Sequence, residues 1–318
     1  MSNFSIIGKP IAMVDAAGKT TGAGKYTDDL SLPGMLVGMI LHSPYPHARI
    51  RRIDTSRARA LDGVVAVVTG ADAPNRYGIL PVGHDETALA VDKVRYIGDN
   101  VACVAAINEE VAEEALELIE VDYELLPAYF DPEQSMKAES DLIHEHRPHN
   151  IEKDYHHVFG DPDQGFAEAG YIHEARYIAN EVTHAAMEPH STLASFELDP
   201  HTGTLGRLTV WSSTQVPYYL QHKLSLVLEM PMSQIRVIKP LVGGGFGGKS
   251  AGEDHLHARG GLLGTPRPPA YDHRSQDRRE ERWPRDRSRM QGDSRWRRIL
   301  LLRCGNNSVF RRLAGCTV

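Results

Sequence analysis

Residues 235–250 read IRVIKPLVGGGFGGKS, an apolar, strand-like run that leads directly into five glycines. Each glycine costs roughly 0.5–1 kcal/mol relative to alanine within a regular element, so five together represent a large sacrifice of stability. Such a run is typical of a loop whose backbone N–H groups approach an anionic or oxo ligand more closely than a Cβ permits. A tight glycine turn without a ligand is the alternative. The loop is therefore the first candidate binding site.

The glycine loop also fits the motifs of nucleotide-binding proteins. Gly243 opens and Ser250 closes the P-loop pattern G-x-x-x-x-G-K-S, and the glycines satisfy the weaker G-x-G-x-x-G. A P-loop opens a helix and is followed by a second strand that ends in Asp. Residues 251–269 instead read AGEDHLHARGGLLGTPRPP, with a break at Gly260. The helix and acidic partner of a dinucleotide site are not visible either. A P-loop nucleotide binder stays open as the alternative function.

The composition divides the chain into two parts. The 318 residues are 41% hydrophobic and 24% charged, which indicates a globular protein of about two domains. Residues 259–318 contain 15 Arg, no Lys and six acidic residues, a formal charge of +9, whereas residues 1–258 carry −16, which together give the net charge of −7. An acidic body argues against nucleic-acid binding, because phosphate contacts need clustered Lys and Arg.

The chain contains no run of about 18 apolar residues, and its first residues, MSNFSIIGKP, lack the pattern of a signal peptide. We therefore expect no membrane span and a cytoplasmic protein. Cys103 lies in the apolar run VACVAAI, which predicts a buried, unreactive thiol. Cys304 and Cys316 lack the spacing of a zinc or iron–sulfur site. The chain is therefore expected to hold no iron–sulfur cluster of its own.

Hydrophobic periodicity predicts alternating short strands and helices in the first 130 residues. The predicted strands are 35–41, 48–53, 64–70, 101–107 and 119–126. Asp54 or Thr55 is predicted to cap a short helix that ends at Leu61. Asn108 is predicted to cap a longer helix whose apolar face is Val111, Ala115 and Leu118. This order indicates a compact α/β or α+β domain.

Residues 131–165 are polar and contain scattered Pro, Gly, Asp and His, which predicts a linker. Its segment HEHRPH, which includes His144 and His146, misses the zinc pattern H-E-x-x-H, because Pro148 stands where the second His would be and would break the helix. A solvated loop is the favoured interpretation of these histidines.

The second domain is predicted to begin with strands at 171–182 and 193–198, followed by a hairpin turn at 199–203 and a strand at 205–213. A helix after Pro217 has an apolar stripe, and a last strand, 234–242, leads into the glycine loop. The stripe consists of Leu220, Leu224, Val227 and Leu228.

Several segments together resemble one known family. VDAAGKTTGAGKYTDDL, SPYPHARI, GVVAVVTGAD and VRYIGDNVA resemble the hammerhead domain of the xanthine oxidase family of molybdenum hydroxylases, and IRVIKPLV with GGGFGGKS resembles the family's molybdopterin-binding segment. RYGILPVGHDETALA, DYELLPAYFDPEQSM and SSTQVPYYLQHKL resemble the 4-hydroxybenzoyl-CoA reductase α subunit in particular, and the related aldehyde, xanthine and carbon monoxide dehydrogenases share much of these segments. The resemblance covers residues 8 to about 257.

The resemblance implies an α+β fold, in which a hammerhead domain is followed by the first part of a molybdopterin-binding domain. The expected divisions are a lead-in at 1–17, the hammerhead domain at 18–130, the linker at 131–165, the cofactor-binding part at 166–257 and an Arg-rich, disordered tail at 258–318.

The resemblance also implies roles for single residues. Gln215 is expected near an apical ligand of molybdenum, and Gly244, Gly245, Phe246 and Gly247 are expected to contact the cofactor, with the backbone of the Phe-Gly pair facing an oxo group. Xanthine-oxidising members carry a substrate-binding glutamate where this chain has Ser250, which argues against a purine substrate. The family's catalytic glutamate lies beyond the resemblance, and no residue is expected to ligate the metal directly.

The family's reaction transfers oxygen and hydride equivalents at a carbon centre of a small aromatic, heterocyclic or aldehyde substrate. The resemblance implies a molybdenum–molybdopterin cofactor on this chain, and iron–sulfur and FAD groups on partner subunits. In the 4-hydroxybenzoyl-CoA reductases the net reaction removes an aromatic hydroxyl.

The tail from about residue 258 shows no sustained spacing of apolar residues at the period of a strand (2) or of a helix (3.6), and it is rich in Arg and Pro. We expect it to be translated out of frame from a GC-rich gene, which leaves the chain inactive and without retained cofactor. An arginine-rich arm that binds RNA or an acidic partner, with Trp283 and Trp296 for stacking, is the alternative.

Overall fold

The structure is a computed structural model that describes residues 4–78, 83–179, 185–198 and 205–249. The predicted hairpin turn at 199–203, Ser250 and the Arg-rich tail lie outside the described residues. The helices are α1 (Ala16–Thr20), α2 (Ser56–Ala60), α3 (Glu109–Glu117), α4 (Pro132–Ser135), α5 (Pro162–Glu168) and α6 (Pro217–Leu228). No described helix has both the length and the apolar content needed to cross a membrane.

Eight of the eleven described strands lie at predicted positions, and three strands of two residues each were not predicted. The strands are β1 (Val37–His42), β2 (Ala48–Asp54), β3 (Val64–Thr69), β4 (Arg76–Tyr77), β5 (Glu86–Thr87), β6 (Lys93–Val94), β7 (Asn100–Ala106), β8 (Glu120–Leu125), β9 (Thr192–Leu198), β10 (Leu205–Ser212) and β11 (Ile235–Ile238). Short 3₁₀ turns lie at Thr27–Asp29, Gly70–Asp72, Pro148–Asn150 and Met232–Gln234.

The first region of the chain is built around β7. This strand lies between β1 and β3 in an antiparallel sheet, and all seven of its residues are buried, as its unbroken apolar run predicts. The Asn108 side chain accepts a hydrogen bond from the Val111 N–H (2.9 Å) and so caps α3. Helix α3 packs through Ala112 and Ala115 against this sheet. A second antiparallel sheet has the order β6-β2-β8.

The second region is a three-stranded sheet in the order β11-β10-β9. Strand β10 pairs antiparallel with β9 and parallel with β11, so α6 is the crossover that a parallel connection requires. The buried residues of α6, Leu220, Val227 and Leu228, belong to the predicted stripe. The two regions share a core, in which Leu36 and Ala105 cluster with residues of β9, β10 and α6.

Two sequence expectations are corrected in this half of the chain. The strand-like run at 171–182 predicted a strand, but residues 171–179 form no strand and are exposed. Residues 180–182 lie outside the described residues. The last strand is four residues long instead of nine. Pro240 has no backbone N–H and cannot donate a hydrogen bond to a neighbouring strand. A strand-like run of residues forms a strand only where a neighbouring strand is present to pair with it.

The structure predicts that the Cys103 thiol is chemically silent in the folded chain. Burial raises the pKa of this thiol to about 12. At pH 8 its thiolate fraction falls about a thousandfold below that of an ordinary thiol. Iodoacetamide is therefore expected to modify Cys103 only after unfolding, which peptide mass spectrometry checks with a guanidinium-unfolded sample as the control. Equal labelling rates in the two samples would contradict this prediction.

Candidate functional site

The sheet of the second region brings the predicted site residues to one edge. Gln215 follows the end of β10, and the glycine loop, residues 243–249, follows β11. Because β10 and β11 are parallel, their carboxyl ends meet at the same edge. Strand β9 runs the other way, so Thr192 at its start pairs with Ser212 at the end of β10. Residues that precede β9 therefore also reach this edge.

The Gln215 side chain is hydrogen-bonded to the glycine loop. Its Oε1 accepts hydrogen bonds from the backbone N–H groups of Gly247 (3.1 Å) and Lys249 (3.2 Å). The backbone N–H of Gln215 donates to the Lys249 carbonyl (2.7 Å). The side chain is exposed, and its Nε2 makes no hydrogen bond within the part of the chain that the structure describes. The carboxamide thus holds the loop with its oxygen and keeps two N–H donors for a ligand.

The loop backbone lies so close to the Gln215 side chain at residue 245 that glycine is favoured there. A Cβ on Gly245 would lie 2.9 Å from both Cδ and Oε1 of Gln215, closer than real Cβ contacts allow. Gly247 has φ +99, a conformation that side chains disfavour. A turn in which Gly248 N–H donates to the Gly245 carbonyl (2.7 Å) closes the loop. Close approach explains part of the glycine run.

Phe246 is held at the outside of the loop. It has φ 51, a left-handed conformation that costs about 1 kcal/mol or more for a residue with a Cβ, and 74% of its surface is exposed. A Cβ on Gly244 would lie 3.2 Å from the Phe246 ring. Among the described residues the ring therefore covers the loop backbone and leaves its other face to solvent.

A buried ion pair holds the two ends of the glycine loop. Lys249 is completely buried, and its Nζ donates to Glu188 Oε2 at 2.5 Å. The same oxygen accepts a hydrogen bond from Gly243 N–H (2.7 Å). Glu188 Oε1 is buried and has no hydrogen-bond partner among the described residues. The pair fixes both ends of the loop and leaves one carboxylate oxygen available.

This arrangement gives no support to the P-loop alternative. In a P-loop the lysine reaches the β- and γ-phosphates and the backbone N–H groups cradle the phosphate oxygens. Here Lys249 is paired with Glu188, and the N–H groups of Gly243, Gly247 and Lys249 donate to side chains of this chain.

Sequence reasoning missed Glu188 and considered Lys249 only as part of the P-loop pattern. Glu188 lies in a stretch without regular periodicity before β9, so no local pattern marks it. The burial of Lys249, which requires a carboxylate partner, is known only from the structure. The antiparallel pairing of β9 with β10 brings Glu188 to it.

The end of β10 is anchored by buried hydroxyl groups. Ser212, Ser213 and Thr214 are all fully buried. Ser213 Oγ accepts a hydrogen bond from Ser191 N–H (3.3 Å), and Thr214 Oγ1 accepts one from Val216 N–H (3.1 Å). These bonds fix the backbone on both sides of Gln215.

Comparison with protein families identifies both regions. Residues 21–127 match the domain described as "Aldehyde oxidase and xanthine dehydrogenase, a/b hammerhead domain", and residues 143–258 match the "Molybdopterin cofactor-binding domain". The chain belongs to the large-subunit family of molybdenum-cofactor oxidoreductases. The site at the edge of the β11-β10-β9 sheet lies within its molybdopterin-binding domain.

Three relatives illustrate the similarity. The chain is 37% identical over 249 residues to "Nicotinate dehydrogenase large molybdopterin subunit" of Eubacterium barkeri, an alignment that covers 78% of this chain and 56% of that protein. It is 35% identical over 247 residues to "Xanthine dehydrogenase molybdenum-binding subunit" of Escherichia coli O157:H7, with 74% and 32% covered. The solved structure "Reconstituted CO dehydrogenase from Oligotropha carboxidovorans" aligns at 33% identity and a TM-score of 0.64, with 78% and 32% covered.

The chain therefore spans between about a third and just over half of the length of these relatives. The similarity establishes the hammerhead and molybdopterin-binding domains and the α+β fold expected from the sequence. It does not single out the 4-hydroxybenzoyl-CoA reductases, because these relatives are named for different substrates.

Proposed function

We propose that Glu188, Gln215 and the glycine loop form one wall of a molybdopterin cofactor site. The observation that carries the proposal is the Gln215 carboxamide, which is fixed to the loop through its oxygen and presents its N–H₂ outward. Two N–H donors beside a glycine-rich loop suit the oxo and phosphate oxygens of such a cofactor. When bound, the cofactor supplies redox chemistry at a carbon centre.

The residues present fit the cofactor. At Gly245 a Cβ would collide with Gln215, so the absence of a side chain there lets the carboxamide lie directly against the loop backbone. The buried Glu188 Oε1 has no partner among the described residues and offers an acceptor for a pterin N–H. Gln215 and Gly244 to Gly247 would hold the cofactor, while Lys249 holds the loop.

The proposed reaction transfers oxygen and hydride equivalents between the cofactor and a small aromatic, heterocyclic or aldehyde substrate. Ser250 is proposed to face this substrate. A hydroxyl there cannot replace a carboxylate as partner of a purine ring, so the proposal favours substrates other than purines, with a 4-hydroxybenzoyl-CoA reductase-like activity as one candidate. Electrons are proposed to pass to iron–sulfur and FAD groups on partner subunits.

We further propose that the 318-residue chain by itself does not retain the cofactor. Gln215 and Phe246 are exposed, so the described wall leaves the cofactor side of the loop in water. A site that does not exclude solvent binds weakly. Residues 259–318, with 15 of their amino acids Arg and none Lys, are proposed to be an out-of-frame product.

The reading-frame proposal is tested on the gene. The DNA is retranslated with one base inserted or deleted near codon 258. We expect one frame to continue the molybdopterin-binding domain with a regular helix and strand pattern. If neither frame does so, the proposal is wrong.

The cofactor proposal is tested by molybdenum analysis. The 318-residue chain and the frame-corrected chain are purified from a host that makes the cofactor. The first is expected to contain far less than one molybdenum per chain and the second close to one. A content near one molybdenum per 318-residue chain would show that the residues of this chain retain the cofactor by themselves.

The role of Gln215 is tested in the same frame-corrected chain. Gln215→Ala removes both the acceptor and the donors, whereas Gln215→Glu keeps the acceptor for the loop and removes the outward donors. Both variants are expected to lower the molybdenum content, by about tenfold or more for Gln215→Glu, where a carboxylate faces the anionic cofactor. Unchanged content in both variants would remove Gln215 from the site.

A further inference from the structure

A second polar cluster lies where the linker meets the hammerhead domain. Asp85, just before β5, lies between His144 and His146 of the linker. Its Oδ2 is 3.0 Å from His144 Nδ1 and 3.1 Å from His146 Nε2. One ligand atom from each of the three residues lies within 4.8 Å of the other two. Both histidines were predicted to be solvated, but only His146 is exposed.

The spacing of these atoms matches a tetrahedral metal site. Zinc binds His nitrogen at about 2.0–2.1 Å and carboxylate oxygen at about 2.0–2.2 Å, which separates neighbouring ligand atoms by roughly 3.3 Å. The two contacts of Asp85 Oδ2 are a few tenths of an ångström shorter. The third pair of ligand atoms lies within 4.8 Å, so small shifts of these side chains, of which His146 is 47% exposed, would bring the three atoms to this separation.

The contacts of Asp85 are not satisfied as hydrogen bonds. Its Oδ2 is buried and has no hydrogen-bond partner in the described part of the chain, even though two imidazole nitrogens lie within 3.1 Å. Neither ring therefore points an N–H at this oxygen in hydrogen-bond geometry. A buried carboxylate oxygen left without a donor is costly. A cation between the three atoms would satisfy it.

The charges around the cluster also permit a cation. Two cations face the cluster, Lys93 from β6 and Arg95 from just after that strand. The Glu145 carboxylate contacts both, at 2.7 Å from Lys93 Nζ and 3.8 Å from Arg95 Nη2. Asp92 Oδ1 also lies 3.9 Å from Arg95 Nη2, so Glu145 and Asp92 together offset these two positive charges and leave Asp85 for the metal.

We propose that Asp85, His144 and His146 bind one divalent transition-metal ion, with Zn²⁺ as the preferred ion and water in the fourth position. The ligands come from two segments that are distant in sequence, so the ion fastens the linker to the hammerhead domain. Lys93 already joins these segments, because its buried ammonium donates to the Leu142 carbonyl (2.5 Å). The site is separate from the glycine loop and independent of the proposed cofactor.

The test uses the untagged 318-residue chain after chelator treatment. Titration with ZnSO₄ is followed by calorimetry, and titration with CoCl₂ by visible absorption, in which a tetrahedral Co²⁺ complex has intense d–d bands. We expect one site with both ions and none with Mg²⁺, which prefers an all-oxygen octahedron. Asp85→Asn, His144→Ala and His146→Ala are each expected to weaken Zn²⁺ binding by about tenfold or more.

His156→Ala is the matched control, because His156 is an exposed histidine of the same linker. It is expected to bind Zn²⁺ like the wild type. Asp85→Asn keeps the size of the side chain, and circular dichroism verifies that each variant is folded. An absent Co²⁺ spectrum in the wild type, or equal Zn²⁺ affinity in Asp85→Asn and His156→Ala, would overturn the proposal in favour of plain ion pairs.

Discussion

Replacement of Glu188 by alanine is expected to lower the free energy of unfolding by about 3–5 kcal/mol, because it leaves a buried ammonium without a counter-charge. Lys249 has no exposed surface, and its Nζ contacts Glu188 Oε2 at 2.5 Å. The substitution also removes the acceptor of the Gly243 N–H. Urea unfolding of the full chain, followed by far-UV circular dichroism, measures the change.

Two further variants separate a buried charge from a general loss of packing. Glu188→Leu combined with Lys249→Met removes both charges and is expected to recover most of the lost stability. Glu133→Ala breaks the ion pair with Arg176, in which both side chains are more than half exposed, and is expected to cost only about 0–1 kcal/mol. Equal losses in Glu188→Ala and Glu133→Ala would show that the Lys249 pair is exposed to water.

The fold was predictable where the sequence pattern within a single strand or helix is enough to indicate that element. Strand β7 is continuously apolar and lies at the centre of its sheet, and Asn108 caps α3 as its position before two glutamates indicates. The failure at 171–179 has a physical cause. Strand formation depends on a partner, and the sequence pattern contains no information on whether one is adjacent.

The same distinction applies to the two sites. The proximity of Gln215 to the glycine loop follows from a rule, since both follow parallel strands of one sheet. Glu188 and Asp85 follow no such rule. Each is a single carboxylate whose partner lies far away in the sequence, Lys249 for one and the His144–His146 pair for the other. Only tertiary packing brings these charges together.

Substitution of Gly245 by alanine is expected to release the glycine loop from Gln215. The added methyl would lie 2.9 Å from Cδ and Oε1 of Gln215, so the carboxamide must move away and give up its bonds to Gly247 and Lys249. Overpacking of this kind typically costs about 1–3 kcal/mol. We expect that loss in urea unfolding, together with faster hydrogen exchange at the Gly247 and Lys249 amides and, in the frame-corrected chain, loss of molybdenum.

The cause of this loss is isolated by a double variant. If contact with Gln215 is responsible, adding Gly245→Ala to Gln215→Ala should cost almost nothing further, because the clashing atoms are already gone. Gly165→Ala is the control for the backbone effect of the substitution, since a Cβ there meets nothing within 4 Å in α5, and it is expected to be neutral or slightly stabilising. Additive losses in the double variant would mean that a group other than Gln215 positions the loop. The Glu188–Lys249 ion pair would then be the remaining support of the proposed cofactor site.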